Sequence, residues 1–194
     1  MLYRAGILLL AAASAVLAQA PRVRVLVIYH SGTGNTEQMA QALGEGARGL
    51  DGVEVKLRRF GEETQQELTD ADAIALGSPV YMGDVAVEAR QAAMRWANDF
   101  GLWESRALQN KAGAVFATGA FPSNGKEITM LSLAQTLWQF GAVLVTPYGS
   151  IGASATTARP DPGVDDAEKK IARDLGRRLA EVALRLKAGA AALE

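Results

Sequence analysis

A chain of 194 residues can bury one good α/β core and is too short for two ordinary domains. Its 20 Lys and Arg stand against 21 Asp and Glu, a net charge of −1, so it offers no basic field for nucleic acid. It has no Cys and one His, His30, which excludes disulfides, thiolate metal sites and Cys nucleophiles, makes a zinc site or a Ser-His-Asp triad hard to build, and leaves redox chemistry to a bound cofactor.

Arg4 precedes an apolar run over residues 5–17 that ends in small residues, the pattern of a secretory signal. Cleavage is expected after Ala18 rather than after Ala20, because Pro21 would follow the second cut. Residues 1–20 are thereby set apart from a folded domain over residues 21–189, and the protein is expected in the periplasm or outside the cell. The alternative is an uncleaved N-terminus that associates with a membrane through residues 5–17, although that run is shorter than the about 20 apolar residues of a span.

Residues 23–29 are almost unbroken apolar and β-branched, as in a strand buried on both faces. Ser31, Gly32, Thr33, Gly34, Asn35 and Thr36 follow at once. Met39, Ala40, Leu43, Ala47 and Leu50 then recur at helical spacing. A strand, a hydroxyl-rich turn and a helix N-terminus make an anion site, since the first N–H groups of a helix lack partners and carry partial positive charge. The turn lacks the Lys that a P-loop sends to outer phosphates. Glu37 stands where a dinucleotide fingerprint needs a third small residue. A single terminal monophosphate is the expected ligand.

Residues 53–60 alternate apolar and charged, the pattern of an edge strand, and the polar stretch 62–70 reads as a short helix or loop. Residues 73–77 form the next buried strand. They lead to Ser78, Pro79, Val80, Tyr81, Met82, Gly83 and Asp84, and then to a helix over 85–100. A fourth strand at 112–118 precedes a Gly-rich turn at 119–125. The helix over 126–140 shows Ile128, Leu131, Ala134, Leu137 and Trp138 on one face, with Met130, Leu133 and Phe140 beside them. A fifth strand is expected at 142–148, then a long loop at 149–163. The last helix, 165–187, carries the stripe Ile171, Leu175, Leu179, Val182 and Leu186 toward the core; Lys169, Lys170, Arg173, Arg177 and Arg178 form a solvated face. Five strands alternating with helices imply a doubly wound parallel sheet with helices on both faces.

The turn from Ser31 to Thr36 resembles the FMN-phosphate loop of flavodoxins. Residues 71–79, 101–103 and 119–148, in their order and spacing, resemble the WrbA-type NAD(P)H:quinone oxidoreductases, and the likeness covers nearly all of 23–187. It implies the flavodoxin-like strand order 2-1-3-4-5, with FMN at the switch between strands 1 and 3, a placement that is the family's rule applied to this chain. Three loops then converge on one rim: 31–36, 78–84 and 118–125. The resemblance implies that Pro79, Val80, Tyr81, Met82 and Gly83, after Ser78, line the flavin ring on one side, with Thr118, Gly119 and Ala120 on the other. It also implies that Trp103 reaches a flavin across a subunit interface, in a homo-oligomer (dimer or tetramer); the alternative for Trp103 is a core residue under the helix.

Two departures stand out. The resembled enzymes commonly carry Arg and Phe where Tyr81 and Met82 stand, and often a His where this chain has Gln139 and Phe140. The activity implied is two-electron transfer from NAD(P)H to a quinone or other small acceptor through FMN, the cofactor performing the chemistry with no catalytic side chain. The alternative is a flavodoxin-like electron shuttle without a small-molecule substrate. His30 is expected to be a spacer after strand 1.

Overall fold

The apolar run after Arg22 forms β1 (Val23–Tyr29), whose alternate side chains enter two separate cores. Val23, Val25, Val27 and Tyr29 face one, and Leu26 and Ile28 the other. A strand with no solvated face has to lie inside a sheet covered on both sides. The computed structural model describes residues 22–158 and 160–193, so the expected signal segment lies outside the described residues.

The elements follow as α1 (Asn35–Arg48), β2 (Val53–Arg59), α2 (Gln65–Asp70), β3 (Ala73–Pro79), α3 (Val87–Asn98), α4 (Leu102–Ser105), β4 (Ala112–Gly119), α5 (Lys126–Gln139), β5 (Val143–Leu144), β6 (Ala153–Thr156) and α6 (Asp166–Ala191). All strand pairs are parallel and the order is β2-β1-β3-β4-β5. Helices α1 and α6 cover one face; α3 and α5, with Leu68 of α2 and Leu102 of α4, cover the other. The flavodoxin-like order expected from the resemblance is the one present. β2 is the edge strand that its alternation indicated, pairing with β1 alone among the described strands.

Three expectations need correction. The fifth strand is broken: β5 pairs only with Ala112 and Gly113, and β6 rejoins the same edge beside Phe116–Gly119. Thus the segment read as a long loop contains a sixth strand. Pro147 has no N–H for a ladder, Gly149 turns left-handed at φ 76°, and Gly152 lets the chain return within touching distance of the Val115 carbonyl. In α5, Ile128, Leu131 and Trp138 are exposed, and Met130, Leu133, Ala134 and Leu137 form the buried face. In α6, Ile171 is exposed while Ala172, Gly176, Ala180 and Ala183 join Leu175 and Leu179 inside.

Small residues face inward on α6 because α1 lies unusually close. A Cβ on Gly176 would sit 1.9 Å from the Leu43 carbonyl oxygen, and one on Gly46 would sit 1.9 Å from that of Arg173. The two helices touch backbone to backbone, and a methyl group has nowhere to go. Gly176→Ala should therefore destabilise the fold by about 1–3 kcal/mol despite the better helix propensity of Ala. Gly189→Ala, in the same helix but with nothing within 4 Å among the described residues, should stabilise it by up to about 1 kcal/mol. Urea unfolding of the two variants beside the parent protein checks the contrast.

Candidate functional site

The turn after β1 is built to leave donors free. Gly34 takes the left-handed conformation at φ 91° and forms the N-cap of α1. Ser31 Oγ accepts hydrogen bonds from the amides of Gly34 (3.1 Å) and Glu37 (3.3 Å), which folds the turn on itself. Among the described residues, no acceptor meets the amides of Gly32, Thr33, Asn35 or Thr36. Four N–H groups on a tight turn, ahead of a 14-residue helix, suit a compact oxygen-rich anion. Asn35 Nδ2 donates to Thr33 Oγ1 (3.1 Å), placing a further hydroxyl at the mouth of the turn.

Side chains distant in sequence hold this turn in place. Arg59, the last residue of β2, donates to the Ser31 carbonyl (2.9 Å) and to Glu37 (2.7 Å), and its guanidinium lies over the Tyr29 ring. Burial, and then the hydrogen bond to Glu37, push the Tyr29 phenol above its ordinary pKa. From the last strand pair, Thr118 Oγ1 lies 2.8 Å from Thr36 Oγ1, both side chains buried. Asp161 accepts from Asn35 Nδ2, which brings the chain beyond β6 back beside the turn. Arg59 is already engaged with Glu37 and a carbonyl, so the cradle works through neutral donors.

The second loop is tied down at both ends. Ser78 is buried, donating to the Pro79 carbonyl and accepting from the Ala86 amide, each at 2.8 Å. The Val80 amide reaches the Thr118 carbonyl (2.8 Å). Tyr81 and Asp84 exchange backbone hydrogen bonds across Met82 (φ 51°) and Gly83 (φ 84°), a type I′ turn. Met82 therefore projects fully into solvent at the tip. The Asp84 carboxyl sits below its usual range: burial acts to raise it, and the Val85 amide, the Ser132 hydroxyl and Arg90 outweigh that. Tyr81, 45% exposed, leans back over the first loop, so that a Cβ on Gly32 would meet its hydroxyl at 2.5 Å.

The third loop backs onto the second: Gly125, left-handed at φ 98°, packs against the Gly83 carbonyl, where a Cβ would be 2.7 Å away. Lys126 is buried and gives its three donors to the Phe121 carbonyl, the Pro122 carbonyl and Thr156 Oγ1. Gly119 accepts from the Thr157 amide (2.9 Å), and Glu168 of α6 accepts from the Thr156 amide (2.6 Å).

Ser31–Thr36, Ser78–Gly83 and Thr118–Ala120 thus share one rim at the carboxyl ends of β1, β3 and β4. Trp103 does not join them within the subunit. It lies on α4, 52% exposed, with its ring on Phe140. Phe140 precedes Gly141, whose carbonyl binds the Asn110 amide just before β4 begins, so this Trp sits at the opposite end of the sheet. Any contact of Trp103 with a flavin has to come from a second subunit. Sequence reasoning missed Arg59, Lys126 and Asp161: Arg59 and Asp161 act on a loop far away in the chain, and Lys126 ties its own neighbouring loop to the distant Thr156. A charged residue at the very end of an edge strand was the available signal for Arg59.

A family model described as flavodoxin matches residues 27–161. The chain is 34% identical to a flavodoxin of Aquifex aeolicus, over 81% of this chain and 85% of that one. It is also 34% identical to an NAD(P)H dehydrogenase (quinone) of Archaeoglobus fulgidus, over 84% of this chain and 98% of that protein. Among solved structures, a flavodoxin, WrbA-like protein from Agrobacterium tumefaciens matches with a TM-score of 0.72 at 28% identity, covering 84% of this chain and 98% of that one.

The cradle makes a quantitative expectation. Replacing Thr33 and Thr36 together by Val should weaken FMN binding sharply, at about 1.5–3 kcal/mol for each hydrogen bond lost to a charged phosphate. Fluorescence titration of the cofactor-free double variant measures this. Parent-like affinity in a folded variant would remove these hydroxyls from the binding site.

Proposed function

The chain belongs to the flavodoxin family, and from that premise we propose that it is an oxidoreductase carrying two electrons from NAD(P)H to a quinone. FMN is its cofactor and, when bound, supplies the redox chemistry that the side chains lack. The observation that carries the reading is the set of four free amides at Gly32, Thr33, Asn35 and Thr36, with neutral hydroxyls beside them. That donor set fits one terminal phosphate and has no lysine of the kind that serves a triphosphate.

Within this reading the residues divide by task. The first turn binds the phosphate. Pro79–Gly83 on one loop and Thr118–Ala120 on the other bracket the flat ring, and the buried Ser78 and Thr118 keep those loops from shifting. Tyr81, Met82 and Phe121 are exposed at the mouth and leave it open to a flat substrate. One mouth serving donor and acceptor in turn suits a ping-pong reaction. The quinone as acceptor is supported by relatives called NAD(P)H dehydrogenase (quinone), aligned over nearly their whole length. A carrier without a small-molecule substrate is the second reading, favoured by the Aquifex relative called flavodoxin.

Purified protein loaded with FMN, mixed with NADH or NADPH and then with a benzoquinone, separates the two. The visible flavin absorbance should bleach on adding the nicotinamide and return on adding the quinone. An absorbance that no nicotinamide bleaches, in protein that dithionite does bleach, would favour the carrier.

Export belongs to the same proposal and rests on the pattern of residues 4–18, with assembly into a homo-oligomer resting on the family likeness. N-terminal sequencing of native protein from a cell-envelope fraction should find Gln19 first. A chain retaining Met1 or Leu2 in the soluble cytoplasm would overturn export, and the same intact start in membranes would favour the anchor.

A further inference from the structure

The chain's one histidine does not behave as a spacer. His30 stands where the first two loops meet, and both of its nitrogens are engaged. Nδ1 lies 3.5 Å from Glu88 Oε1, in the first turn of α3, and Nε2 lies 3.5 Å from the Tyr81 hydroxyl. The His30 and Tyr81 rings meet edge to face, with centroids 5.7 Å apart. The second carboxylate oxygen of Glu88, Oε2, is buried and has no hydrogen-bond partner among the described residues. A carboxylate on one imidazole nitrogen fixes the tautomer, directs the other nitrogen outward and stabilises the imidazolium. The outward nitrogen here meets a phenol that is half-exposed in the ring-lining loop. Both contacts are long, as catalytic contacts often are before a substrate closes them.

We propose that Glu88, His30 and Tyr81 form a proton relay that delivers a proton to the acceptor during its reduction. The inference rests on the reading of this protein as a quinone reductase. A hydride brings two electrons and one proton to a quinone, leaving one oxygen as an oxyanion that needs a second proton. The Tyr81 O–H gives up that proton to the oxyanion. Protonated His30 replaces it through Nε2–H, becoming neutral, while Nδ1–H stays on Glu88; solvent then reprotonates the imidazole. Nicotinamide is oxidised and quinone reduced, so that NAD(P)H, quinone and one proton give NAD(P)⁺ and hydroquinone. Tyr81 is the catalytic residue that touches the acceptor. His30 and Glu88 act through it as positioning residues.

The test compares an acceptor that needs protons with one that does not. Protein loaded with FMN and reduced by dithionite is reoxidised in a stopped-flow instrument by a benzoquinone or by ferricyanide, which takes electrons alone. In His30→Gln the ratio of quinone to ferricyanide rates should fall on the order of a hundredfold. Glu88→Gln should lower the same ratio less. A purely structural role would slow both acceptors alike and leave the ratio unchanged. Nitrogen NMR of the single histidine in FMN-free protein gives a second readout: Tyr81→Phe should shift Nε2 and Glu88→Gln should shift Nδ1. An unchanged ratio in folded, FMN-loaded His30→Gln overturns the relay alone, as do imidazole nitrogens that respond to neither substitution. A parent protein reoxidised by ferricyanide and by no quinone overturns the proposed acceptor, and the relay with it.

Discussion

The position of α1 is the constraint on which the site depends. Its first turn and the loop before it carry the four free amides proposed to hold a phosphate, so any tilt of the helix would move them as a unit. Two backbone contacts prevent that tilt: Gly46 of α1 against Arg173, and Gly176 of α6 against Leu43. Close-packed backbones are stiff because no side chain lies between them to change rotamer. The covering helix α6 thus sets where the four free amides stand. Helix α6 is itself anchored at its start by the capping box of Asp165 and Glu168, and Glu168 also binds the end of β6.

Given that frame, the rim is assembled by the half-exposed Arg59 and by buried polar groups. Arg59 pins the first loop, Ser78 the second and Lys126 the third; Thr36 and Thr118 join the first strand's loop to the fourth's. Each uses its donors on backbone carbonyls, carboxylates or hydroxyls, which offsets the cost of taking it out of water. A rim preorganised in this way needs little rearrangement to take the phosphate and flat ring proposed for it. The apolar cores beneath supply the stability that allows polar groups to be placed at the rim.

The open mouth and the lack of a cationic side chain in the second loop bear on specificity. Where resembled enzymes present Arg and Phe, this chain presents Tyr81 and a solvent-exposed Met82 on a left-handed backbone. The loop therefore presents a phenol and no guanidinium at the rim. That phenol is held by His30 and by the close approach of Gly32, so the first two loops act as one surface. Trp103 is half-exposed at the opposite end of the sheet.

The sequence by itself determined the parallel sheet, the tight hydroxyl-rich turn with its free amides and the three loops of the rim. Those features are local: unbroken β-branched runs specify doubly buried strands, and a hydroxyl- and Gly-rich turn before helical spacing specifies free amides. It also located the second loop but not its type I′ turn, since Met is an uncommon residue at positive φ. Tertiary structure alone decided that the chain rejoins the sheet edge as β6, where Gly152 meets Val115, although Pro147 already breaks the ladder of the expected strand. It decided which face of α5 is buried, because Ile128, Leu131 and Trp138 are as apolar as the residues that do face the sheet. It also decided the partners of Arg59, Lys126 and His30. Long polar side chains find acceptors across tens of residues of sequence, and no spacing rule along the chain encodes a contact that only the folded sheet brings together.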